Sequence, residues 1–270
     1  MELKRICLLC FSPTGGTRRI GRYVSRELAA RLGLEVEEID FARPENRQRE
    51  YRFDREDLLV MASPVYAGRL PNKLLPDYQA KIHGEGTPAV AICVFGNRSV
   101  DEALRELALL LEGNGFQLAG AAAFAGRHAF SDRVGTGRPD EEDLEQMRDF
   151  ALRVAQKLSG EVLPILELNR GEIGPYYTPL KVDGTPAKFL KAKPKTDWAK
   201  CDQCGLCPRV CPVGSIDWES MDATGLCIKC QACVRCCPSH AKYFDDADFL
   251  SHVAMLEQTY TRRAENTIVV

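Results

Sequence analysis

The cysteines of this chain are spread unevenly along its 270 residues. Three of the 12 lie singly in apolar runs, and the other nine lie between Cys201 and Cys237. Eight of these nine form two runs in which gaps of two, two and three residues end in a Cys-Pro pair, at positions 201, 204, 207 and 211 and at positions 227, 230, 233 and 237. Since no export signal is evident, such a cluster favours metal binding over disulfides.

The spacing within each run predicts [4Fe–4S] clusters. Gaps of two residues let a tight loop place three thiolates around one face of a cubane, and the fourth cysteine, before a proline, points to the other cluster. We therefore expect one cluster on Cys201, Cys204, Cys207 and Cys237 and the second on Cys211, Cys227, Cys230 and Cys233. Cys236 is expected not to be a ligand. The alternative, two Cys₄ zinc sites, normally uses separated cysteine pairs, which this spacing does not match.

A turn rich in hydroxyls and glycines follows the first apolar run, with the sequence Ser12-Pro13-Thr14-Gly15-Gly16-Thr17. Hydroxyl and N–H groups at a helix N-terminus form a neutral cradle for a phosphate. No lysine follows the glycines, so a nucleoside-triphosphate loop is not expected. The turn resembles the flavodoxin pattern that holds the terminal phosphate of FMN. A plain glycine-rich helix entry without a ligand is the alternative.

Two later loops should lie at the same sheet edge, because they follow the apolar runs at 58–62 and 90–95, which are the third and fourth predicted strands. Tyr66 in the first of them offers an aromatic face to a flat ring. The predicted FMN-binding residues are Ser12, Thr14, Gly15, Gly16, Thr17, Ser63, Pro64, Val65, Tyr66, Ala67, Gly68, Phe95, Gly96, Asn97 and Arg98.

His128 follows the apolar run at 118–124, the fifth predicted strand, and is the candidate catalytic residue, as a donor of a proton or hydrogen bond to the flavin or a substrate. A structural loop histidine is the alternative. Arg69, Arg98 and Arg127 either stabilise a reduced flavin ring or are solvated loop charges. The lone cysteines at positions 7, 10 and 93 are expected to be core residues.

Apolar runs and helix patterns alternate over the first 160 residues. Continuous apolar runs at 6–11, 58–62, 90–95 and 118–124 predict strands buried on both faces, and 34–39 predicts a strand nearer an edge. Helix spacing links them, for example at Ile20, Val24 and Leu28. The pattern predicts a doubly wound α/β domain with a five-stranded parallel sheet.

The composition and the periodicity together suggest the domain organisation. We expect a flavodoxin-like FMN-binding domain at 1–160, a connector at 161–197, a two-cluster domain at 198–245, and a C-terminal helix and tail at 246–270. The formal net charge of −2 gives no reason to expect binding to nucleic acid or to an anionic membrane surface. A cytoplasmic protein is expected, since neither a signal peptide nor a membrane-spanning run is evident.

The two cysteine runs, at 201–238, resemble those of bacterial-type two-cluster ferredoxins, so the resemblance implies a small α+β ferredoxin-like domain there. Taken whole, the chain resembles the flavodoxin–ferredoxin fusion proteins of anaerobic bacteria and archaea, over 2–160 and 198–244. That resemblance implies electron transport between the clusters and FMN, with a low-potential electron donor or acceptor protein as partner.

Two kinds of function stay open at this point. One is an oxidoreductase that reduces a small-molecule acceptor at the flavin, which the sequence slightly favours. The other is an electron carrier without a substrate of its own. If the cofactor sites lie far apart within one chain, a head-to-tail homodimer could bring them together.

Overall fold

The computed structural model describes residues 2–160 and 162–270. Its strands are β1 (Arg5–Cys10), β2 (Val36–Asp40), β3 (Tyr51–Phe53), β4 (Asp57–Pro64), β5 (Ile82–Gly84), β6 (Thr87–Phe95), β7 (Phe116–Ala125), β8 (Lys195–Thr196), β9 (Lys242–Tyr243) and β10 (Thr267–Val269). Its helices are α1 (Gly16–Leu32), α2 (Leu75–Lys81), α3 (Ala103–Gly113), α4 (Glu141–Leu158), α5 (Leu206–Val210), α6 (Ala232–Arg235) and α7 (Ala247–Thr259), and a 3₁₀ helix covers Pro44–Arg47.

The main sheet has the strand order β10-β7-β6-β4-β1-β2. All neighbours except β10 and β7 are parallel, and Cys10 at the end of β1 lies opposite Asp40 of β2 and Ala62 of β4. The first parallel strand thus lies between the second and the third, which is the flavodoxin-like order. The predicted flavodoxin-like α/β fold with a mostly parallel sheet is confirmed.

The sheet has six strands rather than the predicted five. The C-terminal strand β10 pairs antiparallel with β7, and Ile268 lies opposite Ala122. Three residues carry too little alternation of apolar and polar side chains to be recognised as a strand. Their place in the sheet depends on the chain returning to the β7 edge.

Helices cover both faces of the sheet, which is why the strands β1, β4, β6 and β7 are continuous apolar runs. On one face, α1 and α4 bury side chains such as Ile20, Val24 and Phe150 against the strands. On the other, α2 and α3 bury side chains that include Tyr78 and Leu107. The cysteines at positions 7, 10 and 93 are at most 1% exposed in these two cores.

The connector and the C-terminal helix pack over the carboxyl ends of the strands. The N–H of Tyr177 donates to the carbonyl of Ala67, 2.8 Å away. Phe249 of α7 packs between Phe189 and Phe244, with ring centroids at 5.5 and 4.6 Å. Glu161, where the predicted connector begins, lies outside the described residues. Among the helices of the described residues, none has the length and apolar character to cross a membrane.

Candidate functional site

A polar cavity of about 530 Å³ opens where the first loop enters α1. Thr14, Gly15 and Gly16 line it, and Gly15 adopts φ +87° immediately before the helix. The first N–H groups of a helix have no partner within it, and together with the helix dipole they favour an anion there. Ser12 does not line this cavity but ties the loop to the helix, because its Oγ accepts a hydrogen bond from the N–H of Arg18 at 2.9 Å.

An apolar cavity of about 230 Å³ adjoins the polar cavity, since Val94, His128 and Ala129 line both. The loops after β4 and β6 form one side of it. The opposite side comes from later parts of the chain. The lining residues from the two loops are Pro64, Val65, Tyr66, Ala67, Gly96 and Arg98, and those from later segments include Phe130, Tyr177, Phe189, Ile228, Lys229, Cys230 and Leu256.

A tight turn holds Tyr66 at the apolar cavity. The backbones of Tyr66 and Arg69 exchange hydrogen bonds at 2.8 and 3.1 Å, while Ala67 and Gly68 between them adopt φ +48° and +77°. Gly68 must be glycine, because a Cβ there would lie 2.2 Å from Oδ2 of Asp101. Burial raises the pKa of Tyr66 well above its usual value, and the neighbouring Cys230 and Tyr78 raise it further.

Several predicted flavin residues do not face either cavity. The hydroxyl of Ser63 is buried and lies 3.2 Å from the hydroxyl of Tyr78. Nδ2 of Asn97 donates to the carbonyls of Tyr260 and Arg262, at 3.1 and 2.8 Å. The structure therefore places the Ser63 hydroxyl in the core and the Asn97 side chain against the C-terminal tail. Four further predicted residues also lie outside the cavity linings, namely Ser12, Thr17, Gly68 and Phe95.

The three predicted arginines do not converge. Arg69 pairs with Glu106, at 2.6 Å from Nη2 to Oε1, and lies over the ring of Tyr176. Arg98 lines the apolar cavity, and its guanidinium carbon lies 4.0 Å from the ring centroid of Tyr177. Arg127 lines the polar cavity. Only Arg98 is therefore placed to act on a ring in the apolar cavity.

His128 lies at the junction of the two cavities. Gly96 makes room for it, because a Cβ on residue 96 would lie 2.3 Å from Cδ2 of His128. Its Nδ1 accepts a hydrogen bond from the N–H of Phe130 at 3.1 Å. Burial lowers the pKa of His128 to about 4, with smaller effects from His252 and nearby arginines. At neutral pH the ring is uncharged and keeps a proton on Nε2, so it can donate a hydrogen bond but is a poor source of a proton.

Each predicted set of four cysteines lines a small cavity of its own. Cys201, Cys204, Cys207 and Cys237, the first cysteine set, surround one cavity together with Met221 and Lys242. Cys211, Cys227, Cys230 and Cys233, the second cysteine set, surround another. Cys236 lines neither. Within residues 2–160 and 162–270, no three histidine, cysteine, aspartate or glutamate side chains are grouped so that they could hold one metal ion.

The two cysteine runs also share their backbone turns, at an offset of 26 residues. The left-handed conformation occurs at Gln203 and Lys229, Gly205 and Gln231, and Gly214 and His240, with φ between +52° and +70°. In both runs an N–H four residues after the last cysteine donates to its sulfur, from Ser215 to Cys211 and from Ala241 to Cys237, each at 3.2 Å.

Sulfur and charge at these cavities fit the binding of an iron–sulfur cluster. Backbone N–H groups that point to cysteine sulfurs are typical of such sites. Ser215 lines the second cavity with a buried Oγ that has no hydrogen-bond partner among the described residues. Lys242, at the first cavity, is buried and donates to the carbonyl of Met221 at 2.7 Å. A buried ammonium group compensates the negative charge of thiolate ligands.

Sequence reasoning missed the residues that close the two cavities from the cysteine segment, which we define as residues 198–245. Arg235 lines the polar cavity, and Ile228 and Lys229 line the apolar cavity. Cys230 was predicted as a cluster ligand but not as a neighbour of the loops after β4 and β6, which we call the flavin loops. An arginine within a cysteine run carries no local signal of a binding role, because its contacts are to loops about 100 residues earlier in the chain.

Comparisons with known proteins concern the flavodoxin-like part. No family model and no curated protein matches the chain. Among solved structures, a flavodoxin of Streptococcus pneumoniae TIGR4 has 20% identity and a TM-score of 0.40, over 57% of this chain and 99% of that one. The rubredoxin oxygen:oxidoreductase of Desulfovibrio gigas has 16% identity and a TM-score of 0.38, over 58% of this chain and 37% of that one. The class of the fold is defined by the strand order.

Proposed function

We propose that this chain is an iron–sulfur flavoprotein that transfers electrons between two [4Fe–4S] clusters and FMN. One observation carries the proposal: Cys230 lines both the cavity of the second cysteine set and the apolar cavity formed by the flavin loops. When bound, FMN can exchange one or two electrons, and each cluster exchanges one.

The residues at the two adjoining cavities fit FMN. The polar cavity offers the α1 N-terminus and several guanidinium groups to a phosphate. The apolar cavity offers the aromatic rings of Tyr66 and Tyr177 to a flat ring system. His128 lies between them and can donate the proton on Nε2 in a hydrogen bond to a ring acceptor.

The two cysteine sets lie at different depths, which supports an order of transfer. Cys204 of the first set is exposed, whereas Cys233 of the second is buried. We propose that a low-potential partner protein exchanges electrons at the first set and that the second set connects it to the flavin. A second copy of the chain is not needed to bring the cofactors together, because Cys230 and the flavin loops belong to the same chain.

The apolar cavity favours an oxidoreductase over a pure carrier. Phe130, Phe189 and Leu256 line it together with the loops after β4 and β6. A carrier normally leaves its cofactor edge open to a partner, whereas an enclosed apolar site suits a small organic acceptor. We therefore propose that a small molecule is reduced at the flavin, with exchange of electrons between partner enzymes as the alternative.

Anaerobic purification with iron, sulfide and flavin quantification tests the proposal. We expect about eight irons and about one FMN per chain. After dithionite is mixed with the protein, stopped-flow absorbance should show the bound FMN reduced together with the clusters. A colourless protein, a zinc-only protein, or reduced clusters that leave FMN oxidised would contradict the proposal.

A further inference from the structure

Arg235 reaches the polar cavity from the cysteine segment. It ends α6, between Cys233 of the second cysteine set and Cys237 of the first. Its Nε donates to the carbonyl of Ala129 at 3.0 Å, and its guanidinium also pairs with Asp132. Arg235 thereby lines the same cavity as the glycines at the start of α1.

The polar cavity has more positive than negative groups. Arg19, Arg127, Arg138 and Arg235 line it. Arg138 is matched by the buried Asp143, with 2.8 Å from Nε to Oδ2. Arg127 and Arg235 share a single carboxylate, that of Asp132, which lies 3.2 Å from Nη1 of Arg127 and is 72% exposed. The excess charge favours an anion with more than one negative charge, such as a phosphate monoester.

We propose that Arg235 binds the phosphate of the flavin, so that the cysteine segment completes the phosphate site that the loop at 12–17 begins. This inference rests on the proposed function. A guanidinium group presents paired N–H donors that match phosphate oxygens, whereas the α1 N-terminus presents backbone N–H groups. Because Arg235 lies between the two cysteine sets, the same contact ties the cysteine segment to the bound flavin.

The repeat in the cysteine segment provides a matched control. Arg209 occupies the position of Arg235 in the first run, 26 residues earlier. It is exposed and lines none of the cavities described above. Within the described residues it forms no side-chain hydrogen bond or ion pair. Equal substitutions at the two positions therefore remove the same charge from equivalent helices, and only one of them affects the polar cavity.

The test compares FMN with riboflavin, which lacks the phosphate. Full-length protein with its clusters is prepared anaerobically, the flavin is removed by dialysis, and both dissociation constants are measured by fluorescence quenching. We expect Arg235→Gln to weaken FMN by about tenfold or more and to leave riboflavin within about twofold. Arg209→Gln should leave both dissociation constants unchanged.

A second variant acts in the opposite direction. Asp132→Asn removes the exposed carboxylate that competes for Arg127 and Arg235. It should strengthen FMN binding several-fold and leave riboflavin unchanged; an unchanged or weaker FMN affinity counts against the proposal. If Arg235→Gln only disturbs the loop at Ala129, FMN and riboflavin weaken equally, which overturns the proposal, as does an unchanged FMN affinity.

The outcomes separate this inference from the proposed function. If the unaltered protein binds neither FMN nor riboflavin, or if it lacks iron, the proposed function fails. The role of Arg235 then fails with it. If the unaltered protein holds about eight irons and binds FMN, but Arg235→Gln keeps the same ratio of FMN to riboflavin affinity, only the role of Arg235 is wrong.

Discussion

The two cysteine runs have the same spacing and the same backbone turns, but they lie in different surroundings. In the first run, Cys204 is exposed and two of the left-handed positions are glycines, Gly205 and Gly214. In the second run, Cys230 lies at the flavin loops, and Gln231 and His240 take the equivalent positions. Identical cysteine spacing therefore does not give the two sets the same surroundings. The first set is exposed at Cys204, whereas the second reaches the apolar cavity at Cys230.

The largest expected difference between the runs comes from removal of one ligand in each. Cys204→Ala and Cys230→Ala should each reduce the iron content from about eight to about four per chain. Cys204→Ala keeps the second set beside the flavin, so the rapid reduction of FMN by dithionite should persist. Cys230→Ala should lose that phase in stopped-flow absorbance. Equal rates in the two variants would show that the runs are equivalent.

Lowering the pH should reduce the stability of the fold through His128, which lines the apolar cavity together with Cys230 of the second run. Its pKa is about 4 in the folded protein, below its usual value near 6.5. The unfolded chain therefore takes up a proton as the pH falls below about 6.5, while the folded chain does not, so stability is full above this pH and declines toward pH 4. Between pH 7 and pH 5 the loss reaches about 2 kcal/mol, or about 4–8 °C in Tm.

Thermal unfolding at pH 7 and pH 5 checks this prediction. His128→Gln should reduce the difference in Tm between the two pH values, and His252, whose pKa burial also lowers, should account for part of what remains. His83→Gln, in β5, is the control and should keep it. An unchanged difference in His128→Gln would show that other groups cause the acid sensitivity.

Bound FMN should protect the iron of the second set more than that of the first. The segment at 228–235 contributes to both cavities, so we expect flavin binding to be linked to retention of the second cluster. At about ten times its dissociation constant, FMN should slow the chelator-induced loss of about half of the iron by about tenfold. The other half should leave at its usual rate. Protection of all the iron, or of none, would remove this distinction between the sets.

The smallest expected effect concerns the equivalent turns at Gly214 and His240. Gly214 has φ +60°, and a Cβ there would meet no heavy atom within 4 Å. Gly214→Ala should therefore cost only the left-handed backbone penalty, about 1 kcal/mol. His240→Gly relieves the same penalty but raises the conformational entropy of the unfolded chain. The free energy of unfolding should therefore change by no more than about 0.5 kcal/mol. Differential scanning calorimetry measures both, and a large loss in His240→Gly would reveal a contact made by that side chain.

Predictions from the sequence succeeded where the signal was local and strong. The four continuous apolar runs became the parallel strands β1, β4, β6 and β7, because side chains on both of their faces are buried. The directions of the loop side chains could not be predicted in the same way. Ser63 and Asn97 follow strands at the expected edge, but Ser63 turns to Tyr78 and Asn97 to the C-terminal tail. No local pattern reports such distant partners.

The sequence by itself determined the apolar runs that form the strands, the phosphate-type loop before α1 and the repeated cysteine spacing with its tight turns. These features depend on interactions between residues a few positions apart. The tertiary structure alone decided that Cys230 lines the apolar cavity and Arg235 the polar cavity, while their counterparts Cys204 and Arg209 line neither. That choice depends on how the connector, α7 and the cysteine segment bury their apolar side chains against the carboxyl edge of the sheet, which is a property of the whole fold.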